Sequence, residues 1–320
     1  MAQHKFWSLV FGVVLLGAFL LFVVAAIVPG WWLPRQVSTF GNSVDNLFYM
    51  ILGITGFFFV LTEGIMVYNI WEFGKPERTA KPPFVHGNHR LEVIWTIVPA
   101  GILVLISVVQ IDTWEKIKYT KNFPPADPNV CQMVVVARQW EWRIRYPNPN
   151  DIRQWEKEPD KKGADLWARS AEYPYEDLPQ YDDVHTVNEI HCWAMNDKDK
   201  ASGKVLIHLK TRDVLHSFFL PQMRLKQDAV PGKVIPMWFE PIDYNVEPKG
   251  GTWEYRKDAS GSTIPYEWEL ACAEFCGSRH SLMRGHIYVH KDKADFMNWL
   301  EYQRGQQQRR QIAPKGVAAQ

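Results

Sequence analysis

The segment "WEWRIRY" (residues 140–146) alternates large apolar side chains with charged ones. A period of two places alternate side chains on opposite faces of an extended chain, so the segment predicts a β-strand with one buried face. The segments "KVLIHLK" (204–210) and "RGHIYVHK" (284–291) predict further strands, with clusters of Pro, Gly, Asn and Asp in the intervals. Residues 113–303 are therefore expected to form a small antiparallel sandwich or barrel of the Greek-key kind.

Two segments fit this β pattern poorly. Residues 147–200 are polar and rich in Trp, Tyr and Pro, and we expect them to form a long insertion between strands. Residues 304–320 are polar and poor in apolar side chains, which predicts a disordered tail because such a segment buries too little apolar surface to order itself.

The N-terminal third contains three apolar runs that are long enough to cross a bilayer: 6–28, 47–71 and 93–111. The first run has 23 residues without a formal charge, which corresponds to about 35 Å of helix. It exceeds the usual core of a cleaved secretory signal, about 7–15 residues, so we favour a retained span over a signal. The expected organisation is an extra N-terminal helix or signal anchor over 1–30, followed by a two-helix hairpin over 44–112.

Positive charge predicts the orientation of these helices. The link between the second and third runs carries four basic residues, whereas the link between the first and second carries one, Arg35. By the positive-inside rule the second link is cytoplasmic, so the domain after the third run is extracytoplasmic. The formal net charge of +1 and the lack of a long Lys/Arg stripe in the sequence give no case for nucleic acid as a partner.

The segment "CAEFCGSRHSLM" (272–283) concentrates side chains that bind metals. One tight loop would bring its two cysteines, histidine and methionine to a common point. A disulfide between the cysteines is the plainest alternative in an oxidising compartment, and zinc is the next, although zinc has little use for a thioether. Thiolates with imidazole and a weak axial methionine favour copper in a cupredoxin kind of site. Blue-copper proteins use one cysteine, and here there are two.

The segment "DVLHSF" (213–218) supplies a second histidine. Paired with "CAEFCGSRHSLM", it resembles subunit II of the haem-copper cytochrome c oxidases, whose cupredoxin domain holds a binuclear copper centre, CuA. The resemblance extends from about residue 44 to residue 303 and includes "HGNHRLEVIWTIVPAGIL" (86–103) and "ARQWEWRIRY" (137–146). The two copper motifs are very specific in combination, and the implied fold is membrane helices followed by a cupredoxin-like sandwich.

The resemblance implies a ligand set for two copper ions. It consists of two bridging thiolates, one histidine for each copper, a weak axial methionine and a backbone carbonyl. In the same order these are Cys272 and Cys276, His216 and His280, Met283, and Glu274. The family also uses the side chain of that glutamate at a magnesium or manganese site shared with subunit I.

Two further residues receive roles from the resemblance. Trp140 matches the aromatic residue at which cytochrome c delivers its electron, and Glu92 matches a carboxylate near the mouth of a proton channel into subunit I. The alternation of "WEWRIRY" places Trp140 with Trp142 on the inner face, so an exposed Trp140 would require a β-bulge. Glu92 also lies at a predicted helix start, where the helix dipole alone favours a carboxylate.

The implied function is that of a membrane-anchored electron-input subunit of a proton-pumping terminal oxidase in the bacterial plasma membrane. Such a subunit takes electrons from cytochrome c and passes them to haem in subunit I, where oxygen is reduced to water. The sequence has no Cys-x-x-Cys-His motif, so an external donor is needed. The alternatives are the CuA subunit of a nitric oxide reductase and a membrane-tethered copper electron carrier.

Several titratable residues remain outside these motifs. Acidic residues between positions 172 and 189 are expected either to steer a basic cytochrome c or to form a solvated loop. His286 and His290 are interpreted as ordinary strand residues. Cys131 and Cys192 are expected either to pair or to remain single buried thiols.

Overall fold

The structure, a computed structural model, describes residues 3–28, 31–74, 84, 86–160, 183–195, 203–257, 260–261 and 267–312. It divides into two compact units, one formed by Met1–Pro34 and Ser43–Trp114 and the other by Arg35–Asn42 and Glu115–Gln320. The α-helices are α1 (Gln3–Ile27), α2 (Gly41–Phe73), α3 (His89–Lys118), α4 (Pro149–Lys157) and α5 (Lys293–Ile312). The strands are β1 (Cys131–Arg138), β2 (Glu141–Tyr146), β3 (Val184–Val187), β4 (Glu189–Trp193), β5 (Val205–Thr211), β6 (His216–Leu220), β7 (Leu225–Ala229), β8 (Ile235–Phe239), β9 (Val246–Lys249), β10 (Thr252–Tyr255), β11 (Trp268–Cys272) and β12 (Arg284–His290).

The first unit contains the three expected apolar helices. Each of α1, α2 and α3 is long and apolar enough to cross a membrane. The hydroxyl of Ser8 in α1 donates to the carbonyl of Val67 in α2 at 2.9 Å, and the rings of Phe19 and Phe59 stack with their centroids 6.4 Å apart. A serine hydrogen bond between apolar helices, such as that of Ser8, is typical of membrane helix pairs. The chain is thus a membrane-anchored protein.

The second unit is a sandwich of two five-stranded sheets. Sheet 1 has the strand order β3-β2-β1-β5-β8, sheet 2 has the order β4-β12-β11-β6-β7, and β9 and β10 form a separate ribbon. The expected fold class, apolar helices followed by a cupredoxin-like sandwich, is confirmed. The expectation that its strands are purely antiparallel is wrong, since β1 pairs with β5 and β12 with β4 in parallel. Long connections separate both pairs along the chain, and parallel pairing requires such crossovers.

The core lies between the two sheets. The alternation predicted for β2 is present, with Trp142, Ile144 and Tyr146 fully buried on one face. The ring of Trp142 meets that of Phe218 in sheet 2 edge to face, with centroids 5.3 Å apart. Burying one large apolar side chain contributes about 1.5–3 kcal/mol, so this aromatic contact firmly joins the sheets near the start of β6.

The expected insertion over 147–200 is interrupted by regular structure. Strands β3 and β4 lie within it and belong to sheet 1 and sheet 2, respectively. They bury Val184 and Ile190 in the core, and Asn188 between them adopts a left-handed backbone conformation with φ 59°. Asparagine tolerates that conformation better than most residues, which permits the change of sheet. Residues 161–182 and 196–202 of this segment lie outside the described residues.

The expected disorder from residue 304 onward is also wrong for its first part, because α5 continues to Ile312. Gln and Arg have high intrinsic helix propensity even where apolar residues are scarce. The side chain of Gln307 accepts from the backbone N–H of His185 at 2.8 Å, which holds this part of the helix against β3. Residues 313–320 lie outside the described residues.

The link between α1 and α2 contributes a short extended segment to the second unit. The backbone N–H of Val37 donates to Gln222 at 2.9 Å, and Val37 accepts from the N–H of Ile242 at 3.0 Å. The hydroxyl of Ser38 donates to Met223 at 2.8 Å, and the side chain of Val37 is fully buried. The link is therefore an integral part of the sandwich domain.

Candidate metal centre

Two neighbouring strands of sheet 2 carry the first candidate ligands. His216 opens β6, and Cys272 ends β11, which pairs with β6 in antiparallel register. The loop after β11 passes through Cys276 to a single 3-10 turn at His280–Leu282 and returns into β12. Because β11 and β12 are both hydrogen-bonded into sheet 2, the loop between them is held by rigid elements at both of its ends.

The two candidate cysteines are close together but not bonded. Their sulfurs lie 3.8 Å apart, well beyond the disulfide bond length of about 2.05 Å, and both are free thiols. The Sγ of Cys272 is 3.8 Å from Nδ1 of His216, and the Sγ of Cys276 is 3.5 Å from Nδ1 of His280. Each cysteine thus lies beside one histidine, and the two cysteine–histidine pairs are neighbours through their sulfurs.

The remaining two predicted donors complete the group. The thioether sulfur of Met283 lies 3.8 Å from the Sγ of Cys276, and Met283 is fully buried. The backbone carbonyl oxygen of Glu274 lies 3.2 Å from the Sγ of Cys272. Across the part of the chain that the structure describes, His216, Cys272 and Cys276 are the one group of three His, Cys, Asp or Glu residues whose ligand atoms all lie within 4.8 Å of one another.

The chemistry of this donor set decides between metals. Two thiols and two imidazoles alone would satisfy zinc, which takes four nitrogen and sulfur ligands. The buried thioether of Met283 beside Cys276 would then have no function as a ligand. Soft thiolate and thioether donors combined with imidazole favour copper instead, so the residues fit a copper centre.

Hydrogen bonds at the centre favour ionisation of one thiol before the other. Burial opposes ionisation of Cys272, but hydrogen bonds from His216 and from backbone groups outweigh it and lower the pKa of this thiol. The pKa of Cys276 is raised by burial and then by the neighbouring Cys272. A metal that binds both sulfurs must therefore displace at least one remaining proton, as thiolate ligation generally requires.

Asp213 orients one candidate histidine. Its Oδ1 lies 2.8 Å from Nε2 of His216, which leaves Nδ1 of that ring facing Cys272. Burial alone lowers the pKa of His216, but its contacts with Cys272 and Asp213 outweigh burial and raise the pKa. A carboxylate on the distal nitrogen of a metal-binding histidine is a common arrangement, because it selects the tautomer and the ring orientation.

Trp140 lies in the turn between β1 and β2, and the expected β-bulge is not needed. Strand β1 ends at Arg138 and β2 begins at Glu141, so Trp140 falls outside the alternation that buries Trp142. Its half-buried indole packs on the metal loop, since a Cβ placed on Gly277 would lie 3.3 Å from the Nε1 of Trp140. The structure therefore brings Trp140 to the same site as the six predicted donors.

Glu92 is located in the first turn of α3, as predicted from the sequence. The helix start is capped by Asn88, whose side-chain oxygen accepts from the backbone N–H of Arg90 at 3.1 Å. The Glu92 carboxylate is exposed and lies 3.8 Å from Nδ1 of His89. This geometry satisfies the plain helix-start interpretation, and the proton-channel role of Glu92 stays a prediction.

Most of the remaining titratable residues singled out in the sequence lie at buried positions or outside the described residues. His290 is fully buried and takes part in a hydrogen-bonded chain, so it is more than an ordinary strand residue. Cys131 and Cys192 are single buried thiols. Asp183, from the predicted acidic stretch, is buried with an oxygen 3.7 Å from the Nε of Arg145, and it is not available for docking. The acidic residues of that stretch up to 182 lie outside the described residues.

Sequence reasoning missed one residue at the site, Gln139. Its side-chain Nε2 donates to the carbonyl oxygen of Cys276 at 2.7 Å. Its position directly before Trp140 is the one sequence feature that links Gln139 to the site. Nothing in the local pattern indicates a hydrogen-bond partner 137 residues away.

Comparison with known proteins identifies relatives that match most of the chain. Residues 29–112 match the family model of the cytochrome c oxidase subunit II transmembrane domain. An alternative cytochrome c oxidase subunit 2 of Bradyrhizobium diazoefficiens is 27% identical over 282 residues, covering 86% of this chain and 85% of the relative. A cytochrome c oxidase subunit 2 of Thermostichus vulcanus is 28% identical over 287 residues, covering 83% of this chain and 77% of the relative.

Among solved structures, the periplasmic domain of subunit II of cytochrome oxidase of Bradyrhizobium japonicum is a neighbour. It is 18% identical, with a TM-score of 0.35, and the match covers 57% of this chain and 97% of that domain.

Proposed function

We propose that this chain is a member of the cytochrome c oxidase subunit II family, to which its similarity extends over most of its length, and that it is the electron-input subunit of a proton-pumping terminal oxidase. It accepts electrons from cytochrome c at a binuclear copper centre and passes them to haem in subunit I, where oxygen is reduced to water. The observation that carries this proposal is the convergence of three sulfur donors and two imidazoles where the start of β6 meets the loop after β11, with an aromatic residue packed against that loop.

Cys272 and Cys276 would hold the two copper ions through their thiolates, and His216 and His280 would each supply a ring nitrogen as a further ligand. The 3.8 Å between the two sulfurs is compatible with two sulfurs that share metal ions. When bound, the copper pair supplies a one-electron couple that is spread over both metals. The fixed strands β6 and β11 limit movement of the ligands, which favours fast electron transfer because little rearrangement is needed.

Trp140 is the point at which the electron of cytochrome c arrives. Its indole is half-buried and packs against Gly277 of the loop and against the edge of the core. An aromatic ring in this position shortens the path between a docked donor and the loop without admitting water to the centre. The guanidinium of Arg279 lies 5.9 Å from the ring centroid.

The sandwich domain lies on the extracytoplasmic side of the bacterial plasma membrane, with α1, α2 and α3 as spans. Two observations support this orientation. The basic link between α2 and α3 favours the cytoplasm. The link between α1 and α2 is part of the same compact unit as the sandwich, so the two share one side.

This orientation has consequences for the proton and metal roles. The start of α3 lies at the cytoplasmic end, where a proton-uptake channel into subunit I would open, and this is the location proposed for Glu92. The exposed carboxylate of Glu274 is the group that contributes to a magnesium or manganese site shared with subunit I. The apolar helices contact membrane lipid and the other oxidase subunits.

Purification of the membrane complex through a tag on this chain tests the proposed function. We expect haem and a large polytopic subunit to copurify, and the complex to consume oxygen with reduced cytochrome c. Trp140→Ala should slow that consumption by at least about tenfold, while Trp253→Ala, at a tryptophan of the β9–β10 ribbon, should not. Consumption of nitric oxide instead of oxygen would indicate a nitric oxide reductase, and a chain that purifies without haem would indicate a tethered carrier.

A further inference from the structure

Gln139 makes two hydrogen bonds that point to opposite halves of the metal centre. Its backbone N–H donates to Oδ2 of Asp213 at 2.7 Å, and Oδ1 of that carboxylate lies 2.8 Å from His216. Its side-chain Nε2 donates to the carbonyl oxygen of Cys276 at 2.7 Å. One residue therefore connects the β1–β2 turn both to a candidate histidine ligand and to a candidate cysteine ligand.

These two bonds determine where the next residue lies. The Trp140 indole packs on the backbone of Gly277, whose φ of +119° is a conformation that few residues other than glycine adopt. A Cβ at Gly277 would lie 3.3 Å from both Nε1 and Cζ2 of Trp140 and 2.9 Å from Nε2 of Gln139. The turn and the loop are thus in close contact, and Gln139 is the hydrogen-bonding link across that contact.

A turn between two strands does not by itself hold a half-exposed ring in one place. The backbone bond to Asp213 fixes the start of the turn, and the Trp140 ring beyond it packs on the edge of the core. The side-chain bond to Cys276 adds a direct link to the loop, because it ties the turn to the residue directly before Gly277. Small displacements of this kind matter, since reacting groups must be held to within about 0.5 Å.

We propose that Gln139 is a positioning residue for electron delivery, which holds the Trp140 indole at a fixed distance from the copper ligands. This inference rests on the proposed function, because it assumes that electrons arrive at Trp140. Gln139 itself binds no copper and carries no electron. The backbone bond to Asp213 survives any substitution at position 139 except proline, so side-chain variants test the bond to Cys276 alone.

The test uses Gln139→Met in the purified oxidase complex. Methionine has nearly the same length and no donor. Gln227→Met, in β7, is the matched control, since its side chain bonds Lys118 instead of the loop. Two properties are measured: hydroxyl-radical labelling of Trp140, read by mass spectrometry, and the rate at which reduced cytochrome c reduces the copper centre. The copper paramagnetic resonance signal is recorded for each variant.

We expect Gln139→Met to keep the copper signal, to raise labelling of Trp140 by about fivefold and to slow electron delivery by about fivefold, which is the population shift that one lost hydrogen bond produces. Labelling of Trp253 and all properties of Gln227→Met should match the unmodified complex. If Gln139→Met binds less copper, Gln139→Glu, which has the same shape and no donor, replaces it with the same expectations.

Unchanged labelling, or raised labelling with an unchanged rate, would overturn the positioning role. Raised labelling of Trp253 together with Trp140 would overturn it as well, since it would indicate general loosening. These outcomes are separable from failure of the proposed function, in which the unmodified complex would show no reduction of copper by cytochrome c.

Discussion

Two regions of the sandwich domain each pair a histidine with an aspartate, but the second ring nitrogen of each histidine faces a different group. At the loop, His216 has Asp213 on Nε2 and the thiol of Cys272 near Nδ1. Beneath α5, Nδ1 of His290 lies 3.1 Å from Asp295, and its Nε2 lies 3.1 Å from Nδ1 of His191. The difference is the group that faces the second nitrogen, a soft metal donor in one case and another imidazole in the other.

In the second region, the neighbours of the two histidines occupy the space around their rings. His191 stacks on Trp299 with ring centroids 3.7 Å apart, and Trp253 donates to Asp295 at 2.8 Å. Burial lowers the pKa of both His191 and His290, whereas the pKa of His216 is raised despite burial. A histidine that is kept neutral within a complete hydrogen-bond chain stabilises the fold. A histidine beside ionisable thiols is available for a metal.

The largest effect on stability is expected for His290→Ala. The substitution leaves a cavity and removes the partner of the buried Asp295, which together should cost about 3–5 kcal/mol of unfolding free energy. Thermal unfolding of the complex, followed through the copper signal, measures the loss. At temperatures where the variant is folded, its copper spectrum should be unchanged. A variant as stable as the parent, or one with an altered spectrum, would end the distinction between the two regions.

Acid should destabilise the domain through the region beneath α5. His191 and His290 have folded-state pKa values below that of an unfolded histidine, so below about pH 6.5 the unfolded chain binds more protons and stability falls as the pH is lowered. Each histidine that stays neutral at pH 5 contributes up to about 2 kcal/mol to this loss. His185 and His208, whose pKa values burial lowers to about 4, contribute in the same direction.

The free energy of unfolding of the complex is measured at pH 5 and at pH 7. The difference between these two free energies should be smaller in His191→Gln, which keeps a polar side chain but does not titrate. An equal pH dependence in the parent and in this variant would exclude His191 as a source of the effect.

A matched pair of Asp→Asn substitutions sharpens the comparison. Asp295→Asn retains an acceptor for Trp253 but weakens the bond to His290, and we expect a loss of about 1–2 kcal/mol with no spectral change. Asp213→Asn, at an exposed residue between β5 and β6, should cost less than about 1 kcal/mol and should shift the copper hyperfine pattern and reduction potential, because it changes the partner of His216. A spectral change in Asp295→Asn, together with an unchanged spectrum in Asp213→Asn, would contradict these roles of the two aspartates.

The smallest change in the copper centre is expected for Met283→Leu. The swap nearly conserves volume in a fully buried position, so it should cost less than about 1.5 kcal/mol. If the thioether is only a weak axial ligand, copper stays bound and the reduction potential changes modestly. Metal analysis and a redox titration check this, with Met223→Leu, another fully buried methionine outside the loop, as the control. Loss of copper would mean that Met283 is a principal ligand.

The sequence indicated the loop better than it indicated the region beneath α5, for a physical reason. The loop ligands lie within twelve residues, so spacing alone predicts that they meet, and the family resemblance added His216. The contact between His191 and His290 joins residues 99 positions apart across the parallel pair β4 and β12, and no local pattern encodes it.

Local patterns also led to two incorrect expectations. The alternation of "WEWRIRY" predicts an inward-facing Trp140, but the strand begins only at Glu141, so Trp140 belongs to the turn and escapes the alternation. The polar composition of residues 304–312 indicated disorder, but the buried residues of α5 before them, including Trp299 and Leu300, anchor a helix that continues through this segment.

The most direct test of the copper centre is metal analysis and electron paramagnetic resonance of the purified complex, compared with Cys272→Ser. Cys192→Ser is the control, since Cys192 is a buried free thiol in β4 outside the loop. We predict two coppers for each copy of this chain, sharing one unpaired electron, with that signal lost in Cys272→Ser and retained in Cys192→Ser. A single copper, zinc in its place, or a shared-electron signal that persists in Cys272→Ser would contradict the assignment of the loop as a binuclear electron-input centre.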